Sequence, residues 1–499
     1  MLLLSMNSKA DKQMRYVELE FSDPQLEILA STAKINLFHA GVGSGKTYII
    51  GARNALYAKL YLHVRGFIGA NTYGQLSKST LIGVFKFWAE VGLVRDIHYV
   101  VDRIPPPNFK IFGEKLKSYE NTISFSNGKL IFLASLENYK AIDGIEFAHA
   151  DLDETKDTPE VAVKEVILAR LRQKGLWLNE RQEITTIESE GVVGFYPLNI
   201  YTSPAKSDWL SEWFDFPKYF EEISQTIFSK TEYFRKRIGD KLMVISSTYH
   251  NEKNLPPGYI EGKLIEPNKH NPHRINMLVY GSPLAKAGNE YYSRFDRMQH
   301  VKDVEMPAGV MIHLGFDFNR IPYITGGYYK IWWKPDVNRW HVHKFDEACL
   351  PPPNNVTEDL CQEMATIYGH ELKNGIYYYG DYSGSNRRTN SKEDDYDVVR
   401  RVLAKYIHST SDRVVVNAGV VKRKEFMNKL FYGSLPIDFT MSPKCKRLIA
   451  DCEFLQEGPD GGKLKKKVTV DGVTFEKYGH AADETEYVIT TAFQQYFNL

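Results

Sequence analysis

The sequence predicts an α/β chain folded as two units, and three observations predict it. Strand-like and helix-like segments alternate from residue 34 to residue 247, the pattern of a mostly parallel sheet. A glycine-rich loop at 40–47 separates the first of these strands from the helix after it. Beyond a stretch of changed composition at 250–310, short strands resume, and acidic residues fall at their ends.

The bulk properties set the frame. The 499 residues are too many for one ordinary core. Hydrophobic residues at 43% and charged residues at 25% describe a globular chain. With 63 basic and 62 acidic side chains the net charge is +1, so any contact with nucleic acid needs a local basic face. The four cysteines, at 349, 361, 445 and 452, form no C-x-x-C pair, which argues against a structural zinc site and fits a reducing compartment. No run approaches the roughly 20 apolar residues needed to cross a bilayer, so no membrane partner is expected.

Residues 34–40 read as a strand running into the glycine loop, and 46–61 as a helix with Ala and Leu on one face. A second strand covers 65–70. Residues 123–132 form a hairpin around Asn127-Gly128, a strong turn signal. A strand over 145–152 leads into Asp153-Glu154, a helix follows at 159–173, and further strands are expected at 197–201 and 242–247. Residues 250–310 are rich in Pro, Asn, Lys and His and read as a connector. After it, 310–333 alternate as a hairpin around Asn319–Pro322, with strands at 339–346 and 375–381 and helices at 355–369, 394–406 and 482–496.

The loop Ala40-Gly41-Val42-Gly43-Ser44-Gly45-Lys46-Thr47 fits the phosphate-binding pattern [A/G]-x-x-x-x-G-K-[S/T]. Its glycines let backbone N–H groups turn toward phosphates, and the helix N-terminus adds partial positive charge. Lys46 supplies a full charge, and the Thr47 hydroxyl suits Mg²⁺. ATP with Mg²⁺ is the expected cofactor. Such a loop needs an acidic partner on a neighbouring strand, and Asp153-Glu154 is the better candidate. Asp153 would hold Mg²⁺ through water, and Glu154 would polarise the attacking water as general base. Gln25, upstream in Phe21-Ser22-Asp23-Pro24-Gln25, could read an adenine edge, or serve a helix cap.

A second acidic set lies late in the chain. Asp317 lies within the strand-like Leu314-Gly315-Phe316-Asp317-Phe318, Asp381 ends Tyr377-Tyr378-Tyr379-Gly380-Asp381, and Asp483 opens the last helix. Adjacent parallel strands would bring Asp317 and Asp381 together, with Asp483 closing the triangle. Three clustered carboxylates repel unless a cation sits among them, and oxygen ligands suit Mg²⁺ or Mn²⁺. Two such ions can activate water and stabilise the leaving oxygen in phosphodiester cleavage. Glu347 is a candidate accessory ligand and His480 a candidate support. The Lys463–Lys467 run could clamp a DNA backbone or solubilise an edge strand.

A phosphate loop followed by three late carboxylates resembles the large terminase subunit of tailed bacteriophages, over about residues 20–495. The likeness is carried by 40–47, by Asn127-Gly128, Gly144-Ile145-Glu146-Phe147 and Asp153-Glu154, by Thr202-Ser203-Pro204 at the family's coupling motif, and by Gly479-His480-Ala481-Ala482-Asp483-Glu484. So does the passage from Gly281-Ser282 through Gly288-Asn289-Glu290-Tyr291-Tyr292 to Phe295-Asp296 and His300. The resemblance implies a RecA/ASCE-like P-loop ATPase domain at 1–255, a connector at 256–308 and an RNase H-like nuclease domain at 309–499, with Asp317, Asp381 and Asp483 as metal ligands. It implies a motor that threads double-stranded viral DNA into a procapsid and cuts the concatemer. The implied partners are the portal protein, a small terminase subunit and further copies of the chain, in a ring of five in the host cytoplasm at the portal vertex. The sequence departs from the family where Val42 replaces an arginine in the loop and where Asp143 stands before Gly144. The arginine completing a neighbour's site then falls to Arg65, Arg170 or Arg172. The alternative is a helicase or repair ATPase with an appended nuclease, which calls for a second RecA-like sheet after residue 260.

Overall fold

Strand β1 (Ile35–Ala40) is buried along its whole length, as a central strand of a parallel sheet must be. Its side chains alternate: Ile35 and Leu37 enter one apolar core, Phe38 and Ala40 the other. The computed structural model describes residues 18–62, 64–111, 115–142, 144–174, 176–178, 184–186, 196–203, 208–283, 288–373, 375–386, 393–406, 410–464, 467–470 and 473–497. The chain divides into two units, Met1–Ala287 and Gly288–Leu499.

In the first unit β1 is joined by β2 (Arg65–Ala70), β3 (Tyr99–Val101), β4 (Thr122–Phe125), β5 (Leu130–Ser135), β6 (His149–Asp153), β7 (Leu198–Thr202), β8 (Phe234–Ile238) and β9 (Lys241–Ser246). The nine strands lie in the order β8-β9-β1-β7-β6-β2-β5-β4-β3. From β9 to β5 every neighbouring pair is parallel, and the outer strands turn antiparallel. One strand, β7, separates the phosphate-loop strand from the acidic strand β6, the arrangement of an ASCE-type ATPase. Helices α1 (Asp23–Leu29), α2 (Lys46–Leu60) and α3 (Leu81–Glu90) cover one face, where Phe87 and Trp88 are fully buried. Helical segments at 162–170 and 208–226 cover the other, around Trp209 and Phe214.

The second unit has a six-stranded mixed sheet. Strands β10 (Ile312–Asp317), β11 (Ile324–Lys334) and β12 (Arg339–Leu350) form an antiparallel meander. Then β13 (Ile376–Gly380) runs parallel to β10, β14 (Thr410–Asp412) parallel to β13, and β15 (Ile437–Met441) parallel to β12. The order β14-β13-β10-β11-β12-β15 is RNase H-like. It is not the second RecA-like sheet that the helicase alternative calls for. Helices α4 (Thr357–Leu372) and α5 (Asp395–Leu403) cover one face. Helices α6 (Val420–Tyr432), α7 (Lys446–Phe454) and α8 (His480–Ala492) cover the other. Gly315 and Gly327 face each other in register, and a Cβ at either would collide with the Glu484 carboxylate. That carboxylate accepts from Lys344 Nζ at 2.7 Å and Tyr329 OH at 2.8 Å, all three groups being buried.

The stretch 256–308 crosses the boundary between the units, and each part packs into its own unit. Ile260, Leu264 and Val279 form a small apolar cluster with Tyr249, and Val42 of the glycine loop packs against it. Tyr291, Tyr292 and Phe295 belong instead to the core of the second unit. The polar composition that reads as a connector hides these regularly placed apolar anchors.

Candidate nucleotide and carboxylate sites

The loop between β1 and α2 is held by its carbonyls. Lys46 Nζ donates to Ala40 O and Gly41 O, both at 3.1 Å. Thr248 Oγ1 donates to Val42 O at 2.8 Å, Asn251 Nδ2 to Gly43 O at 2.7 Å, and Gln25 Nε2 to Ser44 O at 2.9 Å. Five successive carbonyl oxygens are thus occupied by side-chain donors. Gly43 and Gly45 both adopt φ +81°, a conformation that favours glycine. The first N–H groups of α2 have no carbonyl behind them within the helix, so the segment has donors suited to an anion. Lys46 is buried, and desolvation lowers its pKa against the opposing pull of Glu154 and Asp153. Thr47 packs where Gly83 leaves room for it.

Of the two roles open to Gln25, an adenine edge or a helix cap, its hydrogen bonds show the cap. Its Oε1 accepts from Ser22 N at 2.9 Å while Nε2 holds Ser44 O, and it is 2% exposed. Both ends of the amide are therefore engaged in fixing α1 to the loop. Thr248 and Asn251 had no motif to announce them. They come from the short helical turn at Thr248–Asn254, immediately after β9.

Asp153 ends β6 and is 2% exposed; its Oδ2 accepts from Thr80 Oγ1 at 2.7 Å. Burial raises its pKa to about 6, against the Thr80 hydrogen bond, while Glu154 raises it further and Lys46 lowers it. Glu154 follows with φ +49°, a left-handed backbone unusual for this residue type. Its carboxylate accepts from Ser203 N at 3.3 Å and from the Ser203 hydroxyl. Ser203 thus sets the direction of Glu154 from the next strand over; Pro204 of the same triplet lies outside the described residues. The polar residues inside β6 have a local reason. Asp151 is buried and accepts from Asn54 Nδ2 at 3.0 Å, Asn199 Nδ2 at 3.1 Å and Tyr201 OH at 3.2 Å. Of the three arginines considered, Arg172 pairs with Glu146 at 2.9 Å on the surface, Arg65 lies over the Phe132 ring, and Arg170 ends the helical turn Leu168–Arg170.

In the second unit the parallel register pairs Phe316 with Gly380, so Asp317 and Asp381 leave the sheet side by side. Asp381 N donates to Phe316 O at 3.2 Å. Asp483 lies in the first turn of α8, and the charges of all three acids act on the Tyr487 phenol. Burial first, then Asp483, Asp317 and Asp381, push its pKa up.

Shared surroundings do not make a metal cage here. Among the described residues no group of three His, Cys, Asp or Glu side chains is arranged to hold a metal ion. Asp483 Oδ1 accepts from Arg423 Nη2 at 2.7 Å and Lys463 Nζ at 2.8 Å. Burial alone would raise the Asp483 pKa, but these two cations hold it below the ordinary value. Asp381 Oδ1 accepts from Ser383 N at 3.1 Å, and Oδ2 from the Ser383 hydroxyl. The carboxylate repulsion expected to call for a metal is relieved by protein cations and a tight turn instead. Asp317 differs. It is 1% exposed, burial raises its pKa, and its Oδ2 has no hydrogen-bond partner; His480 Nδ1 approaches to 3.8 Å. A buried carboxylate oxygen without a donor is the kind of atom a cation satisfies, and the set is oxygen-only.

Glu347, the candidate accessory ligand, is held by protein donors. It is buried, and it receives the backbone N–H of Arg447 and of Leu448, the latter at 3.2 Å, at the start of α7. Lys463 is tied to Asp483 rather than extended toward solvent, and Lys467–Val470 pairs with Val473–Glu476 as an antiparallel hairpin. Asp451 is a residue no motif announces. It is buried and accepts from Gly479 N and Ala482 N, both at 2.9 Å, fixing the turn that presents Asp483.

No protein-family model matches the chain, and no curated protein matches it. Among solved structures, it is similar to the large terminase of a thermophilic bacteriophage, in complex with ADP, at 15% identity over 95% of this chain and 99% of that one, with a TM-score of 0.36. It is also similar to the large terminase ATPase domain of Thermus phage P74-26, at 16% identity over 53% and 94% with a TM-score of 0.33. A third likeness is to the P22 large terminase nuclease domain, at 9% identity over 42% and 93% with a TM-score of 0.29. All three TM-scores lie below 0.5, so the functional assignment rests on the residues of this chain.

Proposed function

We infer that the chain is a large terminase subunit, in which ATP hydrolysis drives double-stranded DNA into a procapsid and a metal-dependent nuclease cuts the concatemer. The observation that carries this reading is the glycine loop with its five carbonyls tied off, two strands from Asp153-Glu154 in a sheet whose chain continues into an RNase H-like unit.

In this reading the loop N–H groups and Lys46 receive the β- and γ-phosphates, and Thr47 and Asp153 hold Mg²⁺ with its water. Glu154 takes the proton of the attacking water, and Ser203 orients it. Because Ser203 lies in the coupling triplet, a change at Glu154 is felt directly by the strand end that would relay motion. In the second unit Asp317, Asp381 and Asp483 would hold Mg²⁺ or Mn²⁺, which when bound activates water and stabilises the leaving oxygen. His480 positions Asp317, and Asp451 positions Asp483. The partners are those of such a motor: DNA, the portal protein, a small terminase subunit and four further copies in a ring in the host cytoplasm.

The test separates the two chemistries. Glu154→Gln keeps ATP binding within about twofold and lowers turnover at least about 100-fold, the range of a lost general base. Turnover within about threefold of wild type in that variant removes Glu154 from the role. Asp317→Ala abolishes Mn²⁺-dependent cutting of plasmid DNA while leaving ATP turnover in place. Unchanged cutting removes Asp317 from the catalytic set.

A further inference from the structure

We propose that Arg423 and Lys463 act as an internal counter-cation that occupies Asp483 until a DNA phosphate draws them away, so that the substrate itself completes the metal site. The proposal rests on the nuclease reading above and adds the step that loads the metal.

Both cations converge on one oxygen, Asp483 Oδ1, at 2.7 Å and 2.8 Å. Behind them Glu486 receives Arg423 Nε at 2.8 Å and lies 3.4 Å from Lys463 Nζ. Two acids and two bases thus form a closed, neutral cluster. The arginine and lysine side chains are 6% and 10% exposed, while Asp483 is 26% exposed, so the acid is the reachable member. A divalent ion brought to Asp483 in this state meets two positive charges already seated on it, and like charges at that range repel strongly. Asp317 Oδ2 is buried with no hydrogen bond, and His480 Nδ1 comes no nearer than 3.8 Å, which leaves a carboxylate oxygen that a cation can take.

A phosphodiester is the ligand that can withdraw both bases together. Arginine presents a planar fork to phosphate oxygens, and lysine a point charge. Moving them from carboxylate to phosphate keeps each cation paired and frees the Asp483 carboxylate for a metal ion. Metal then joins Asp317 and Asp483 only where DNA is seated, which protects a free chain from cutting at random.

The experiment measures Mn²⁺ binding by the electron paramagnetic resonance of free Mn²⁺, on the full chain without nucleotide, with Asp317→Asn as the baseline. Wild type should bind weakly. Lys463→Met should tighten the Asp317-dependent binding roughly tenfold, and Lys463→Arg should behave as wild type. A phosphorothioate-linked duplex, which resists cutting, should tighten wild type by a similar factor and Lys463→Met by little more. If Lys463→Met fails to fold in a thermal melt, the duplex arm on wild type decides. Equal affinity in all arms, still dependent on Asp317, overturns the counter-cation and leaves the metal site standing. No Asp317-dependent binding in any arm overturns both.

Discussion

Lys129 is 1% exposed, and its Nζ lies 2.7 Å from His149 Nε2. Burial pulls its pKa down to about 7 against the attraction of Asp151, and burial with Lys129 nearby takes His149 down to about 3. The folded lysine therefore gives up its proton more readily than the unfolded one. Between pH 7 and the ordinary lysine range near 10.4 the unfolded chain holds more protons, so this residue makes folding more favourable as pH rises through that window. Lys129→Met should remove a rise on the order of 2 kcal/mol between pH 7 and pH 9, read from denaturant unfolding of variant and wild type at both values. The loop carries a second expectation at this scale. Asn251→Ala and Gln25→Ala each release one carbonyl of the cradle, and each should weaken ATP binding roughly 3- to 10-fold, measured by titration calorimetry, with turnover at saturating ATP less affected. The cradle's core was readable because Ala40 to Thr47 are contiguous. Its supports were not, since Thr248 and Asn251 lie 206 and 208 residues from the carbonyls they hold.

Helix α8 shows how an element delivers a side chain. Gly479, at φ +109°, reverses the chain, and Asp451 on α7 takes the N–H of Gly479 and of Ala482. Asp451→Ala leaves two buried donors unpaired and should destabilise the second unit by about 2–4 kcal/mol, seen as an earlier denaturant midpoint. Cutting should fall with it while ATP turnover holds. Elements with clean periodicity stood out in the sequence: the alternation at 310–333, the Asn-Gly hairpin, and the helix after the glycine loop. Others did not. β8 reads Phe-Arg-Lys-Arg-Ile and looks like a polar turn, because an edge strand exposes alternate residues. β15 lies between Pro436 and Pro443, which read as loop. α6 and α7 carry lysine and arginine that blur their apolar faces, and one of those, Arg423, turned out to hold Asp483. The three late acids were found from their places on two strands and at the start of the last helix. What those places could not reveal was the pair of cations waiting at the third.

At the scale of the whole molecule, each candidate site falls within one compact unit, Met1–Ala287 or Gly288–Leu499. Each has its own sheet and its own pair of apolar cores. A non-hydrolysable ATP analogue with Mg²⁺ should therefore stabilise the first unit selectively, by about 2.7 kcal/mol at a hundred times its Kd. In hydrogen-exchange measurements the slowing should concentrate in β1, α2 and the end of β6, and equal slowing throughout β10 to β15 would contradict it.

The facing glycines at 315 and 327 have a consequence for that second unit. They leave a gap in the sheet surface that the Glu484 carboxylate fills, so α8 settles closer to β10 and β11 than any side chain there would allow. Asp483 is the preceding residue, and its height above the strand ends follows from how deeply its neighbour sinks. Gly315→Ala would act as a shim beneath the helix, mistuning the acids without touching one of them.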